Sequence, residues 1–109
     1  MVDEYNTDSL NVVFSGAAPL SGELGDEAAA RLRCAVIQGY GMTELSPVSH
    51  ATIPGQGKAG SSGVTVSNTE CRIVDLEGND LGVDEDGELW IRGPQVMNCL
   101  LYTSDAADE

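Results

Sequence analysis

The sequence predicts an α/β fold, a parallel βαβ unit followed by a β-rich portion, and three observations point to it. An apolar, β-branched run, "LNVVF" at residues 10–14, stops in the small-residue stretch "SGAAPLSG". A helix-like segment follows, and a second apolar run, "CAVIQ" at residues 34–38, enters another glycine-rich stretch, "GYGMTE". Strand, loop, helix and strand in so short a span is what a parallel crossover requires. Beyond residue 53 the texture changes to a glycine and serine stretch and then to two strand-like runs with turn signals between them.

Each element has a local cause. The first run has the length and branching of a buried strand and ends where Gly16 and Pro19 punctuate the chain. Ser21 is placed as a helix N-cap, with Glu23, Asp26 and Glu27 in the early turns and Arg31 and Arg33 late, both signs suiting the helix dipole. Leu24, Ala28 and Leu32 give a narrow apolar stripe, Glu27 and Arg31 are spaced to pair across one turn, and Gly25 weakens the helix slightly. "CAVIQ" is the second buried strand. "IPGQGKAGSSGV" predicts a long loop, and "ECRIVDL" and "ELWIRG" predict strands separated by the turns "EGND" and "DEDG". Ile73, Val74, Leu76, Leu89 and Ile91 are expected on the apolar side of this portion, with Trp90 on the opposite face. No internal repeat is visible.

Composition narrows the functional classes. A chain of 109 residues holds one modest domain, and 13 glycines with 5% aromatic residues tilt it towards loops. A formal net charge of −13 repels a phosphate backbone, which sets nucleic acid aside as a partner. The same field means that an anionic ligand needs local neutralisation, by backbone N–H groups or a divalent cation. No run approaches the ~20 apolar residues of a membrane span, and the acidic start "MVDEYNTD" is unlike a secretory leader, so a cytoplasmic protein is expected. Cys34, Cys71 and Cys99 are odd in number and far apart, which suggests neither a disulfide framework nor a metal site. Cys34 and Cys71 are expected to be small apolar fillers.

In a parallel sheet ligands gather at the carboxyl ends of the strands, where both glycine-rich segments fall. In "SGAAPL", Gly16, Ala17 and Ala18 are small enough to let backbone touch a flat ligand, although an ordinary strand-to-helix turn uses the same residues. In "QGYGMTE", Gly39 and Gly41 let Tyr40 stand out of a bend where its ring can stack on a base. Thr43 offers a hydroxyl to a phosphate oxygen and Glu44 a carboxylate to Mg²⁺. The alternative is a Tyr40 that covers the core and a Thr43 that caps a helix over Glu44. His50, the single histidine, has no serine, cysteine or carboxylate placed by sequence to make it a base, and a pocket wall is the simpler role. Asp84, Glu85 and Asp86 before Gly87 are expected to form a solvated turn.

The last residues, "CLLYTSDAADE" at 99–109, fit none of these patterns. Back-translated, they can be written as the transposase-end adapter of sequencing libraries, and they are expected to be foreign to a native part that covers residues 1–98. Removing Asp105, Asp108 and Glu109 leaves the chain acidic.

"SGAAPL", "QGYGMTE" and "GELWIRGPQVM", in that order and spacing, resemble the AMP-forming acyl-CoA synthetases, nearest to the 4-coumarate:CoA ligase-like branch, over residues 2–98. The resemblance implies part of the large N-terminal domain of an adenylate-forming enzyme. It also implies a two-step reaction, in which a carboxylic acid attacks ATP to give an acyl-adenylate and pyrophosphate, and coenzyme A then displaces AMP. By that pattern Gly16, Ala17 and Ala18 border the adenine and acyl pocket, Gln38, Gly39 and Tyr40 line the adenylate, Thr43 contacts phosphate and Glu44 ligates Mg²⁺. Ala51 would fall on the acyl-pocket wall beside Ala17 and Gly39, with His50 close by. The family's phosphate loop would precede this chain; its ribose-binding aspartate, hinge and small C-terminal domain with its lysine would follow. The chain is therefore expected to be an internal fragment without turnover. The alternative is a small nucleotide-binding module without chemistry, or a gene relic.

Overall fold

The computed structural model of this chain describes residues 2–98. Met1 and residues 99–109, the latter read above as an adapter translation, lie outside the described residues. After a 3-10 turn at Val2–Glu4, the first two strands pair with each other. Strand β1, Val12–Ser15, pairs in parallel with β2, Ala35–Gly41, from Val12 against Ala35 to Ser15 against Gln38. Helix α1, Gly22–Leu32, makes the crossover between them, so the expected βαβ unit is present. The Ser21 hydroxyl accepts from the Leu24 N–H at 3.3 Å, and Arg33, at φ 55°, ends the helix in the left-handed region.

The helix departs from expectation in two details. Its half-buried face is Gly25, Ala28, Ala29 and Leu32, while Leu24 is exposed. A small-residue face brings the helix close to the sheet, and it rotates Leu24 away. Arg31 reaches Asp3 at 3.0 Å, an N-terminal partner that four-residue spacing does not reveal, so the Glu27 pairing is not the one formed.

The larger difference lies in the sheet. Strand β2 continues through Gly39, Tyr40 and Gly41, which were expected to bend. Their backbone groups are taken up by β3, Val48–Ala51, which runs antiparallel with Gly39 against Ala51 and Tyr40 against His50; the register shifts between Tyr40 and Gly41. Glycine is a poor strand former alone, but here close approach requires it. A Cβ on Gly41 would collide with the Pro47 carbonyl oxygen, and one on Gly39 with the Phe14 ring. Strand β4, Val64–Thr65, adds to β3 and completes a mixed sheet in the order β1-β2-β3-β4. The two-stranded core expected from the sequence is thus a four-stranded sheet.

The β-rich portion is a hairpin of β5, Glu70–Val74, and β6, Glu88–Arg92, as expected. Ile73 faces Leu89 and Cys71 faces Ile91 on one side. Trp90 lies on the other, across from Arg72, whose guanidinium stands 5.6 Å from the indole ring centre. Leu76 does not join the apolar side: it is fully exposed in a turn where the Asp75 carboxylate accepts from the N–H groups of Glu77 and Asn79. Cys71 is exposed rather than a core filler, and Cys34 is half-buried. Among the described residues the buried apolar side chains are Leu45 and Val74, and Ser49, Thr52 and Thr69 are buried with them.

Candidate functional site

The site is built where β2 meets two loops. The loop after β1 carries Gly16, Ala17 and Ala18, and Ala17 holds φ 68°, a left-handed backbone that L-residues rarely adopt. Such outliers persist where the surrounding structure enforces them and cluster at ligand clamps. After β2 the chain turns through the 3-10 segment Thr43–Leu45. Leu45, 4% exposed, anchors this turn from below, and the Met42 N–H donates to the Pro47 carbonyl at 2.9 Å across a cis Ser46–Pro47 peptide.

These pieces enclose a cleft of about 640 Å³ lined by Phe14, Gly16, Ala17, Gly39, Tyr40, Gly41, Met42, Thr43, Glu44, Pro47 and Val48. A second cleft of about 230 Å³ adjoins it, with Ala18 and Gln38 in its wall, and Ala17, Gly39, Tyr40 and Gly41 line both. The geometry thus brings together Gly16, Ala17, Ala18, Gln38, Gly39, Tyr40, Thr43 and Glu44. His50 and Ala51 sit one strand away, opposite Tyr40 and Gly39, and line neither cleft.

Thr43 does not cap the turn that it opens: the preceding residue is Met42, and no side chain caps there. The threonine is exposed and Glu44 half-buried at the same cleft. Among the described residues no hydrogen bond or ion pair engages the Glu44 carboxylate, while its backbone carbonyl accepts from the Met97 N–H at 2.8 Å. The same residues contain no cluster of three or more His, Cys, Asp or Glu that could hold a metal alone. A lone carboxylate suits Mg²⁺, which keeps most of its water and binds through one or two carboxylates together with substrate phosphates. No lysine or arginine lines the larger cleft, so phosphate charge there would need such a cation.

His50 has a partner that the sequence did not suggest. Its Nδ1 lies 2.9 Å from the Oγ of Ser49, a residue with no exposed surface, and its ring meets Tyr40 edge-on at 6.1 Å between centres. Burial lowers the His50 pKa from 6.5, which keeps the imidazole neutral at pH 7. Ser49 is too enclosed to serve as a nucleophile, and the pair braces one side of Tyr40. Phe14, Met42, Pro47 and Val48, absent from the sequence-based set, add apolar wall to the larger cleft. Phe14 could have been found from its place at the carboxyl end of a strand beside a loop.

Comparison with known proteins identifies the family and the fold. The family model described as "AMP-binding enzyme" matches residues 2–101. A probable 4-coumarate–CoA ligase 1 of Dictyostelium discoideum is 44% identical over 100 residues, covering 89% of this chain and 18% of that protein. The 4-coumarate–CoA ligase 2 of Oryza sativa subsp. japonica is 44% identical over 112 residues, covering 96% and 20%. Among solved structures, an anthranilate CoA ligase in complex with anthranoyl-AMP superposes with a TM-score of 0.81 at 27% identity, covering 85% of this chain and 18% of that one. The chain therefore spans about a fifth of the length of the curated relatives it matches.

Proposed function

Because this chain belongs to the AMP-binding enzyme family, we propose that it forms one wall of the nucleotide and acid pocket of an acid–CoA ligase. That enzyme would activate a carboxylic acid with ATP as an acyl-adenylate and pass the acyl group to coenzyme A. The observation that carries this reading is the convergence of Tyr40, Thr43 and Glu44 with Gly16 and Ala17 on one cleft, whose volume falls in the ordinary range for small-molecule sites.

Each residue has a role that its setting supports. Gly16, Ala17, Ala18, Gln38 and Gly39 offer a thin wall that a flat purine can approach closely, and Tyr40 offers a ring face to stack on it. The uncapped Thr43 hydroxyl donates to a phosphate oxygen. Glu44 would hold Mg²⁺, and the cation would supply screening of phosphate charge. Gly39 shapes the side that takes the acid, with Ala51 paired behind it and His50 bracing Tyr40, and the nearby Phe14, Met42 and Val48 favour an apolar acyl group. The 109-residue chain alone, with no basic side chain in the larger cleft, is proposed not to turn ATP over.

The test is acid-dependent ATP–pyrophosphate exchange by the natural gene product that carries this chain, over a panel of aryl and fatty acids. Exchange is expected, with Thr43→Val and Glu44→Gln each lowering its rate by about 10²-fold, the usual loss for one group that meets developing charge. Absence of exchange with every acid, alongside an AMP-induced rise in melting temperature, would favour a binding module instead.

A further inference from the structure

The segment after β6 touches the proposed cation site without lining the cleft. Its residues are Gly93, Pro94, Gln95, Val96 and Met97. The Val96 N–H donates to the Gly93 carbonyl at 3.2 Å, closing a turn with Pro94 and Gln95 at its centre, where proline's fixed φ favours the geometry. That turn presents the Gln95 side-chain amide to two acceptors: the Thr69 Oγ1 at 2.7 Å and, by a longer contact, the Val48 carbonyl at 3.4 Å. A carbonyl can only accept, so the Val48 contact fixes which end of the amide faces it. Two residues on, the Met97 N–H donates to the Glu44 carbonyl at 2.8 Å.

The stretch from Glu44 to Val48 is therefore held at both ends by one neighbouring segment. Thr69, 9% exposed, anchors that clamp: its N–H donates to the Val66 carbonyl at 3.2 Å, and the Val66 N–H donates to the Ser49 carbonyl at 2.9 Å. We infer that Gln95 is a positioning residue, which with Met97 fixes the Glu44 turn and so couples the β5–β6 hairpin to cation binding. Gln95 is outside the cleft linings and touches no reacting group; it acts by limiting where the Glu44 carboxylate can point. The inference rests on the reading of Glu44 as the Mg²⁺ ligand.

The experiment measures the Mg²⁺ concentration that half-saturates ATP–pyrophosphate exchange by the natural gene product. It compares wild type with Glu44→Gln, Gln95→Met and the double variant, alongside the KM for the acid and the melting temperature. Gln95→Met is expected to raise the Mg²⁺ requirement about tenfold, the lower end for groups that orient a metal ligand, with KM for the acid unchanged and little further effect in the Glu44→Gln background. Thr69→Val should reproduce the shift and Thr69→Ser, which keeps the hydroxyl, should restore wild-type behaviour. A lowered melting temperature with an unchanged Mg²⁺ requirement in Gln95→Met and Thr69→Val would overturn the inference. If Gln95→Met does not fold, Gln95→Glu serves in its place, since the Thr69 hydroxyl can still donate to it while a carboxylate opposes the Val48 carbonyl. An unchanged Mg²⁺ requirement in Glu44→Gln would instead reject the Glu44 ligand, and the inference with it, a result distinguishable because failure of the inference alone leaves the Glu44→Gln shift in place.

Discussion

His50 shows how a local environment sets a charge state. The ring is packed against Tyr40 and its Nδ1 is engaged by Ser49, and desolvation holds its pKa below 6.5. The unfolded chain takes up this proton near 6.5, whereas the folded chain does so only at lower pH. Stability from this group is therefore complete above about 6.5 and is lost as pH falls through the folded value. As the chain holds one histidine, an NMR titration of its imidazole tests this directly: a midpoint below 6.5 is expected, and one at or above it would contradict the packing. Tyr40, Thr43 and Glu44 were legible from the sequence because unlike chemistries were crowded between glycines. The Ser49 contact was not, because neighbours along a strand ordinarily point to opposite faces.

Strand β2 and its partner β3 teach the same lesson one level up. Both strands of the βαβ unit, its helix and the later hairpin were readable from apolar runs, an N-cap and turn residues. The extension of β2 through Gly39 and Gly41 was not, because glycine signals a bend locally and a close approach only when the other backbone is known. Strands β3 and β4 escaped detection because they are short and carry no clear alternation. The two glycines are expected to differ on substitution. Gly41→Ala meets backbone at Pro47, which cannot move without breaking the bond to Met42, and should cost about 1–3 kcal/mol. Gly39→Ala meets chiefly the end of the half-exposed Phe14 ring, which can swing aside, and should cost less. Urea midpoints of the two variants check the order, and a Gly41→Ala no less stable than Gly39→Ala would refute it.

At the scale of the molecule, electrostatics outweighs the ion pairs. Arg31, Arg33, Arg72 and Arg92 each meet a carboxylate, but all four pairs are half or more exposed, and such pairs contribute little. A net charge of −13 acts across the whole surface, and two buried apolar side chains among the described residues give little to set against that repulsion. Raising NaCl from about 10 mM to 150 mM, which shortens the screening length from roughly 30 to 8 Å, should therefore raise the melting temperature of the 109-residue chain. A fall would mean that the arginine pairs dominate. The acidity itself was plain from composition; the sparse core was not, since apolar content does not tell which side chains meet.

Trp90, the single tryptophan, lies on the hairpin beneath the Arg72 guanidinium and lines neither cleft of the candidate site. In this chain the indole emission is thus an optical reporter of the hairpin alone. A nucleotide that settles against Tyr40 does not touch it, so a change in colour or brightness on adding AMP and Mg²⁺ would report a shift relayed to the hairpin through its two connections to the site sheet, the Val66–Thr69 stretch and the Gly93–Met97 segment.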